Sequence, residues 1–96
     1  MEKVNLIEER VNQWVDQNYG MIPEGFRIKP TLDYIKQVCV SMLCTKWDVG
    51  PQGGGFVQAV VKNDLMGAVS RADGMNSQLL KFYCSMLYNI GKPESL

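Results

Sequence analysis

Apolar and polar positions follow the period of an α-helix in four separate stretches of this chain. In the first, over residues 2–18, apolar side chains recur at every third or fourth position, and mostly charged or amide side chains lie between them. This spacing places the apolar residues on one stripe of a helix and the polar residues on the rest of its surface. The stretch predicts a helix that packs onto a core through Val4, Ile7, Val11, Trp14 and Val15.

The same period recurs over residues 30–46, 55–72 and 75–90 and predicts three further helices. Glycine and proline separate the stretches and occupy four of the eight positions from 47 to 54. Residues 57–61 are partly β-branched, so a short strand is the local alternative, although the continuing period favours a helix. Short connections favour antiparallel helices. We predict an all-α fold, a compact bundle of about four helices that forms one domain over residues 1–96.

Charge and hydropathy narrow the class of protein. Ten basic residues balance ten acidic residues, and no basic run is present. Because duplex nucleic acid and anionic membranes attract basic surfaces, we expect neither as a partner. No stretch approaches the ~20 apolar residues that span a bilayer. The first residues also lack the apolar segment of a signal peptide, so we expect a cytoplasmic protein.

The chemistry of catalysis and metal binding is poorly represented. The chain has no histidine, so neither a Ser–His nor a Cys–His pair exists, and no pair of carboxylates stands out as an alternative. Cys39, Cys44 and Cys84 match no zinc spacing and lie in apolar helical runs, where free cysteine packs into a core. We therefore predict a protein that is not an enzyme, with no catalytic residue, no cofactor and no metal ion.

The glycine-rich loop before the third predicted helix is the first candidate binding element. Gly53, Gly54 and Gly55 would let an anion approach the backbone N–H groups at a helix start. The Gly-Lys-Ser/Thr of a phosphate-binding loop is absent, and no strand of a dinucleotide-binding unit precedes the glycines. A flexible turn between helices is the favoured interpretation of this loop, and anion binding is the alternative.

A polar set inside the third predicted helix is the second candidate. Asn63 and Asp64 interrupt its apolar run, and two helical turns bring Asp64 and Arg71 to one face with Gly67 between them. Arg71 could grip a phosphate or carboxylate with two hydrogen bonds. Structural hydrogen bonds to a neighbouring helix or helix end are the slightly favoured alternative.

Three other residues have simpler interpretations. Asp73 and Asn76 flank the start of the fourth predicted helix and are of the types that cap helix N-termini. Trp47 lies at a helix end beside the glycine-rich loop, whereas most other aromatic residues fall on core stripes. An exposed tryptophan often anchors a protein interface, so Trp47 is the candidate interface residue.

A wider pattern spans residues 53–93. It comprises Gly54-Gly55-Phe56, Ala59-Val60, Asn63-Asp64-Leu65, Arg71-Ala72-Asp73, Asn76 and Leu87-Tyr88-Asn89. It resembles a family of short uncharacterised proteins of bacteriophages and prophages. This chain departs from that family in its longer glycine-rich loop and in the lack of a Trp-containing tail. The resemblance implies a phage-type accessory protein and implies no reaction.

Three functions are consistent with these observations. The leading one is a phage-type accessory protein that acts in the host cytoplasm by binding a host component. It could sequester an anionic, nucleotide-like small molecule, with Gly53, Gly54, Gly55 and Arg71 holding the phosphate. The alternative is an inhibitor or adaptor of a host defence or regulatory protein, acting through a patch around Trp47. The third is a homo-oligomeric structural element, with an interface built from methionines and the broad apolar face of the second helix.

Overall fold

The computed structural model describes residues 2–92. The predicted domain boundaries at residues 1 and 96 lie outside the described residues. Six α-helices form the described part: α1 Glu2–Gln17, α2 Lys29–Trp47, α3 Gly55–Val61, α4 Leu65–Arg71, α5 Gly74–Gln78 and α6 Leu80–Ile90. No strand occurs among these residues, which confirms the all-α prediction and rules out the local strand alternative. The predicted number of about four helices is too low.

The two long helices form one side of the core. α1 buries its predicted stripe against α2, and the side chains of Ile7 and Val11 are fully buried. α2 lies between α1 and the later helices, since it also packs against α3 and α6. Its buried residues recur at helical spacing: Ile35, Val38, Cys39, Met42, Leu43 and Cys44. The Trp14 ring of α1 meets Phe82 of α6 at 5.1 Å between centroids, so the core is continuous across the molecule.

Two short 3-10 turns, Tyr19–Met21 and Glu24–Phe26, connect α1 to α2. Only part of this connector packs on the core. Ile22 is fully buried, whereas Met21 and Ile28 are exposed. The Arg27 side chain holds the turns together, because its Nε donates to the Ile22 carbonyl at 2.8 Å.

The third predicted helix is interrupted and forms two helices, α3 and α4. Asn63 adopts a left-handed conformation with φ of 62°. Its N–H donates to the Val60 carbonyl at 3.1 Å, and the Asp64 N–H donates to the Ala59 carbonyl at 2.8 Å. This pair of bonds is the Schellman motif that ends a helix. The prediction of one helix over residues 55–72 is therefore wrong, because Asn63 satisfies the last carbonyls of α3 and stops it.

The fourth predicted helix is also divided, into α5 and α6. The predicted capping role of Asp73 is confirmed. Its Oδ1 accepts a hydrogen bond from the Asn76 N–H at 2.7 Å at the start of α5. The break falls at Leu79, whose side chain is fully buried. No glycine or proline marks this break. The Leu79 N–H still donates to the Met75 and Asn76 carbonyls, at 3.1 and 3.2 Å.

The cysteines differ from one another in environment. Cys39 and Cys44 are buried as predicted, and burial raises the pKa of the Cys39 thiol to about 12. Cys84 is exposed, so its predicted place in the core is wrong. It lies on the face of α6 that the core does not cover. Within residues 2–92 no helix is both long and apolar enough to cross a membrane.

Candidate functional site

Asp64, Gly67 and Arg71 lie along α4 as the sequence predicts, although Asp64 precedes that helix. Asp64 is the N-cap of α4, and its Oδ1 accepts a hydrogen bond from the Gly67 N–H at 3.0 Å. Arg71 is the last residue of α4, and its Nη1 donates to the Gly67 carbonyl at 3.3 Å. The bond of Asp64 to a helix end agrees with the structural alternative, whereas Arg71 bonds within its own helix and not to a neighbouring one.

Gly67 is a glycine because the two polar side chains occupy the space where its side chain would lie. A Cβ there would overlap the Oδ2 atom of Asp64 and would come within 2.9 Å of the Arg71 guanidinium. Glycine inside a helix costs about 1 kcal/mol relative to alanine, so a contact of this kind accounts for its presence. Asp64 and Arg71 thus converge above the backbone of Gly67.

Gly55 lets the Arg71 side chain reach the start of α3. A Cβ on Gly55 would lie 2.9 Å from Cδ of Arg71 and 3.1 Å from its Nε. The guanidinium side chain therefore crosses from the end of α4 to the first turn of α3. Sequence spacing alone does not predict this contact, because the residues are sixteen positions apart.

Gly53 has a structural role within the loop. Its N–H donates to the Thr45 hydroxyl at 2.8 Å, and its carbonyl accepts a hydrogen bond from Gln58 at 2.8 Å. A Cβ on Gly53 would overlap the Val57 side chain and lie 2.8 Å from Oγ of Ser41. The Gly53 N–H is thus already paired, whereas Gly54 is exposed and open on all sides.

An open depression between α3 and α4 collects part of the predicted set. It has a volume of about 180 Å³ and is lined by Gly55, Gln58, Ala59, Lys62, Asp64 and Arg71. Lys62, which follows α3 directly, has no feature in the sequence pattern that would single it out. Neither Lys62 nor Arg71 forms an ion pair within the described part of the chain. The depression therefore presents two cations beside one carboxylate.

Asn63 lines a different surface from Arg71, and Asp64 borders both surfaces. Asn63 lies in a groove between the α3–α4 pair and α6, which we call the α4–α6 groove. The residues that line this groove are Lys46, Ala59, Val60, Val61, Asn63, Asp64, Leu65, Ala68, Leu80, Cys84, Leu87 and Tyr88. The predicted ligand-binding set is therefore divided. Gly55, Asp64 and Arg71 share the depression, Gly53 and Gly54 lie next to it in the chain, and Asn63 faces the groove.

Trp47 is half-buried rather than exposed. Its ring packs against the core, and its indole N–H donates to the Gly91 carbonyl at 2.8 Å. This bond ties the end of α2 to the end of α6. Because that N–H is already bonded within the chain, little of Trp47 remains free to contact a partner. Its interface role stays a prediction.

Asn76 is not a helix cap but the centre of a buried polar network. Its amide donates to the Tyr34 hydroxyl at 3.0 Å and accepts from the Tyr83 hydroxyl at 2.9 Å. Burial raises the pKa of Tyr83, and Cys39, Tyr34 and Asp73 raise it further. The tyrosines lie 42 and 7 residues from Asn76, a spacing that gave the sequence analysis no signal.

The described part of the chain is an all-α fold whose surface carries the polar depression, the α4–α6 groove and a larger depression of about 290 Å³ between α1 and α2. This last depression is lined by Glu8, Val11, Asn12, Lys36, Gln37 and Val40. Within residues 2–92, no three His, Cys, Asp or Glu side chains come together to hold a metal ion. Comparison with protein-family models, curated proteins and solved structures finds no match for this chain. The resemblance to the phage and prophage family therefore stays a prediction.

Proposed function

We propose that this protein is a non-enzymatic, phage-type accessory protein that binds and sequesters a small anionic, nucleotide-like molecule of the host. The observation that carries the proposal is the convergence of Lys62 and Arg71 on the depression above Gly55. Arginine binds phosphate with two parallel hydrogen bonds, and lysine adds a second positive charge. A phosphate in the depression would meet both.

The Asp64 carboxylate indicates the chemistry of the end of such a ligand that does not carry the phosphate. Its Oδ1 is bound to the Gly67 N–H, whereas its Oδ2 accepts no hydrogen bond from the residues that the structure describes. An ionised carboxylate accepts hydrogen bonds from hydroxyl and amino groups and repels phosphate. A ligand with a phosphate at one end and hydroxyl or amino donors at the other, as in a nucleotide, satisfies both sides of the depression.

Native mass spectrometry of gently purified protein tests whether a small anion is retained. Calorimetric titration with a nucleoside monophosphate, a nucleoside triphosphate and inorganic phosphate then measures affinity. Because a hydrogen bond to a charged group contributes about 1.5–3 kcal/mol, Arg71→Gln should weaken nucleotide binding about tenfold or more. Lys62→Gln should weaken it less, since lysine binds phosphate as a point charge.

The exposed Lys29, which pairs with Asp33 on α2, provides the matched control. Lys29→Gln removes one positive charge far from the depression and should leave affinity unchanged. A protein that carries no small molecule and binds none of the three probes would contradict the proposal. The same holds if Arg71→Gln and Lys29→Gln bind the nucleotides equally well.

A second candidate function is binding to a host protein as an inhibitor or adaptor. Four large apolar side chains of α4 and α6, two of which line the α4–α6 groove, favour it, because all are more than half exposed: Leu65, Met66, Val69 and Tyr88. Contiguous exposed apolar surface marks interaction sites in folded proteins. This observation supports the groove, instead of Trp47, as the proposed interface. The third function, a homo-oligomeric element, has no comparable support, since the apolar stripe of α2 is buried inside the chain.

A further inference from the structure

The Arg71 guanidinium is held in place on one side and keeps its other edge open. Its Nη1 donates to the Gly67 carbonyl at 3.3 Å, and the absence of a Cβ at Gly55 leaves room for its Cδ and Nε atoms. Neither Nε nor Nη2 donates a hydrogen bond within the described part of the chain. Parallel N–H groups on one edge of a guanidinium match two oxygens of a phosphate. The phosphate end of a ligand therefore has a defined place in the polar depression, beside Lys62.

The Asp64 carboxylate keeps one oxygen available next to this guanidinium. A Cβ on Gly67 would overlap Oδ2 of Asp64 and would lie 2.9 Å from Nη1 of Arg71, so the two atoms border the same point. They are nevertheless too far apart to form an ion pair. An ionised carboxylate oxygen only accepts hydrogen bonds. A ligand whose phosphate binds Arg71 would therefore meet Oδ2 with the donor groups that lie nearest to its phosphate.

The depression has room for only part of a nucleotide. Its volume is about 180 Å³, and it opens to solvent. Clefts that enclose a drug-sized ligand have volumes of about 300–1,000 Å³. None of the lining residues is aromatic, so a base would find no ring on which to stack. Because the sugar of a nucleotide lies between phosphate and base, the sugar hydroxyls come to Asp64 and the base stays in solvent.

We infer that the polar depression recognises the sugar-phosphate part of a ribonucleotide, whatever its base, and that Asp64 is the residue that selects the sugar. The inference rests on the first proposed function and adds the class of ligand. Arg71 and Lys62 hold the phosphate, and Oδ2 of Asp64 accepts a hydrogen bond from a ribose hydroxyl. A sugar that lacks its hydroxyls loses a hydrogen bond to a charged group.

The experiment is a calorimetric titration of the full chain with related phosphates. The probes are adenosine monophosphate, guanosine monophosphate, ribose phosphate, inorganic phosphate, and the dideoxy analogue of adenosine monophosphate, which lacks both sugar hydroxyls. We expect the first three to bind about equally. The dideoxy analogue and inorganic phosphate should each bind about tenfold more weakly than adenosine monophosphate, since each lacks the hydroxyl that Asp64 binds.

Asp64→Ser tests the role of the carboxylate. Serine caps a helix about as well as aspartate does, so the Gly67 N–H keeps an acceptor while Oδ2 is removed. The preference for adenosine monophosphate over its dideoxy analogue should then disappear. Both probes carry the same phosphate, so their affinity ratio does not respond to the lost negative charge as such.

Asp73→Ser is the matched control. Asp73 caps α5 as Asp64 caps α4, but it does not line the depression. This variant should keep the preference for the sugar with hydroxyls. Circular dichroism checks that both variants stay folded. An equal loss of the preference in the two variants would overturn the role of Asp64.

The remaining outcomes separate this inference from the function on which it rests. Equal affinities for adenosine monophosphate and its dideoxy analogue would overturn the selection of the sugar and leave nucleotide binding in place. A strong preference between the adenosine and guanosine probes would overturn the independence from the base. Failure of every probe to bind would overturn both the inference and the proposed sequestration of a nucleotide-like anion.

Discussion

The part of this protein formed by α1 and α2 buries its large apolar side chains more completely than the part formed by α4, α5 and α6. Among the large apolar side chains of residues 2–47 that are exposed, Leu6, Tyr19, Met21 and Tyr34 lie between 37% and 43%, and only Ile28 is higher at 61%. In residues 65–90, by contrast, every exposed large apolar side chain exceeds 55%. The short helices thus present apolar surface that the long helices keep in the core.

This difference follows from how each half is stabilised. Most of the stability of a helix in a protein comes from packing its apolar face, so α1 and α2 have long continuous stripes. The helices α4 and α5 have seven and five residues, and a side-chain cap begins each of them, Asp64 in one and Asp73 in the other. Of these two helices, α4 leaves Leu65, Met66 and Val69 exposed, whereas on α6, which has no side-chain cap, Tyr88 is exposed. The contrast teaches that in this molecule the candidate binding surface lies on α4 and α6 rather than on the long helices.

The largest expected change in the free energy of unfolding comes from replacing Leu43 by alanine. The same substitution at Leu65 provides the comparison, because Leu43 lies in the long helices and Leu65 in the short ones. Leu43 is fully buried in α2, whereas Leu65 is 67% exposed in α4. Leu43→Ala should lower the free energy of unfolding by about 2–5 kcal/mol, through lost burial and the cavity left behind. Leu65→Ala should change it by less than about 0.5 kcal/mol. Urea denaturation measures both, and similar losses in the two variants would contradict the comparison.

Asn76 tests whether a polar contact joins the two halves. It is the one buried polar side chain among the described residues, and it connects Tyr34 of α2 with Tyr83 of α6. Asn76→Ala should cost about 1–3 kcal/mol of unfolding free energy, because the buried Tyr83 hydroxyl loses its partner. Ser77→Ala, at the exposed next position, is the control and should cost less than about 0.5 kcal/mol. Equal thermal stabilities would count against the network.

The smallest expected effect distinguishes two glycines. Gly67→Ala should lower the unfolding free energy by about 1 kcal/mol, because the new Cβ displaces the Asp64 cap and outweighs the better helix propensity of alanine. Gly74→Ala should instead raise it by about 0.4–1 kcal/mol, since nothing lies within 4 Å of the Cβ position. Chemical denaturation of both variants gives the signs, and two changes of the same sign would refute the explanation for Gly67.

The sequence predicted the long helices closely and the short ones poorly. The predicted range 2–18 compares with Glu2–Gln17, and 30–46 compares with Lys29–Trp47. In both stretches, the apolar stripe and the residues that end the helix indicate the same boundaries. Over residues 55–72 the apolar period continues across the Asn63 break. The conflicting signal was present as an Asn-Asp pair, since Asn tolerates the left-handed conformation and Asp caps helices.

The candidate site was predictable only where its residues are local. Asp64, Gly67 and Arg71 share one short helix and its cap, so their helical spacing correctly placed them together. The contact of Arg71 with Gly55 and the position of Lys62 depend on how α4 folds back against α3. The partners of Asn76 depend on tertiary packing in the same way. Neither arrangement leaves a periodic trace in the sequence.

The left-handed conformation of Asn63 has a consequence for how this surface can change over evolution. The direction of α4 relative to α3 follows from that one backbone conformation. A substitution there would re-aim Leu65, Met66 and Val69 as a group, while their identities and their spacing stay the same. Such a chain could acquire a new partner through one change in the backbone turn between α3 and α4, and the apolar contact residues of α4 would then drift more slowly than its specificity.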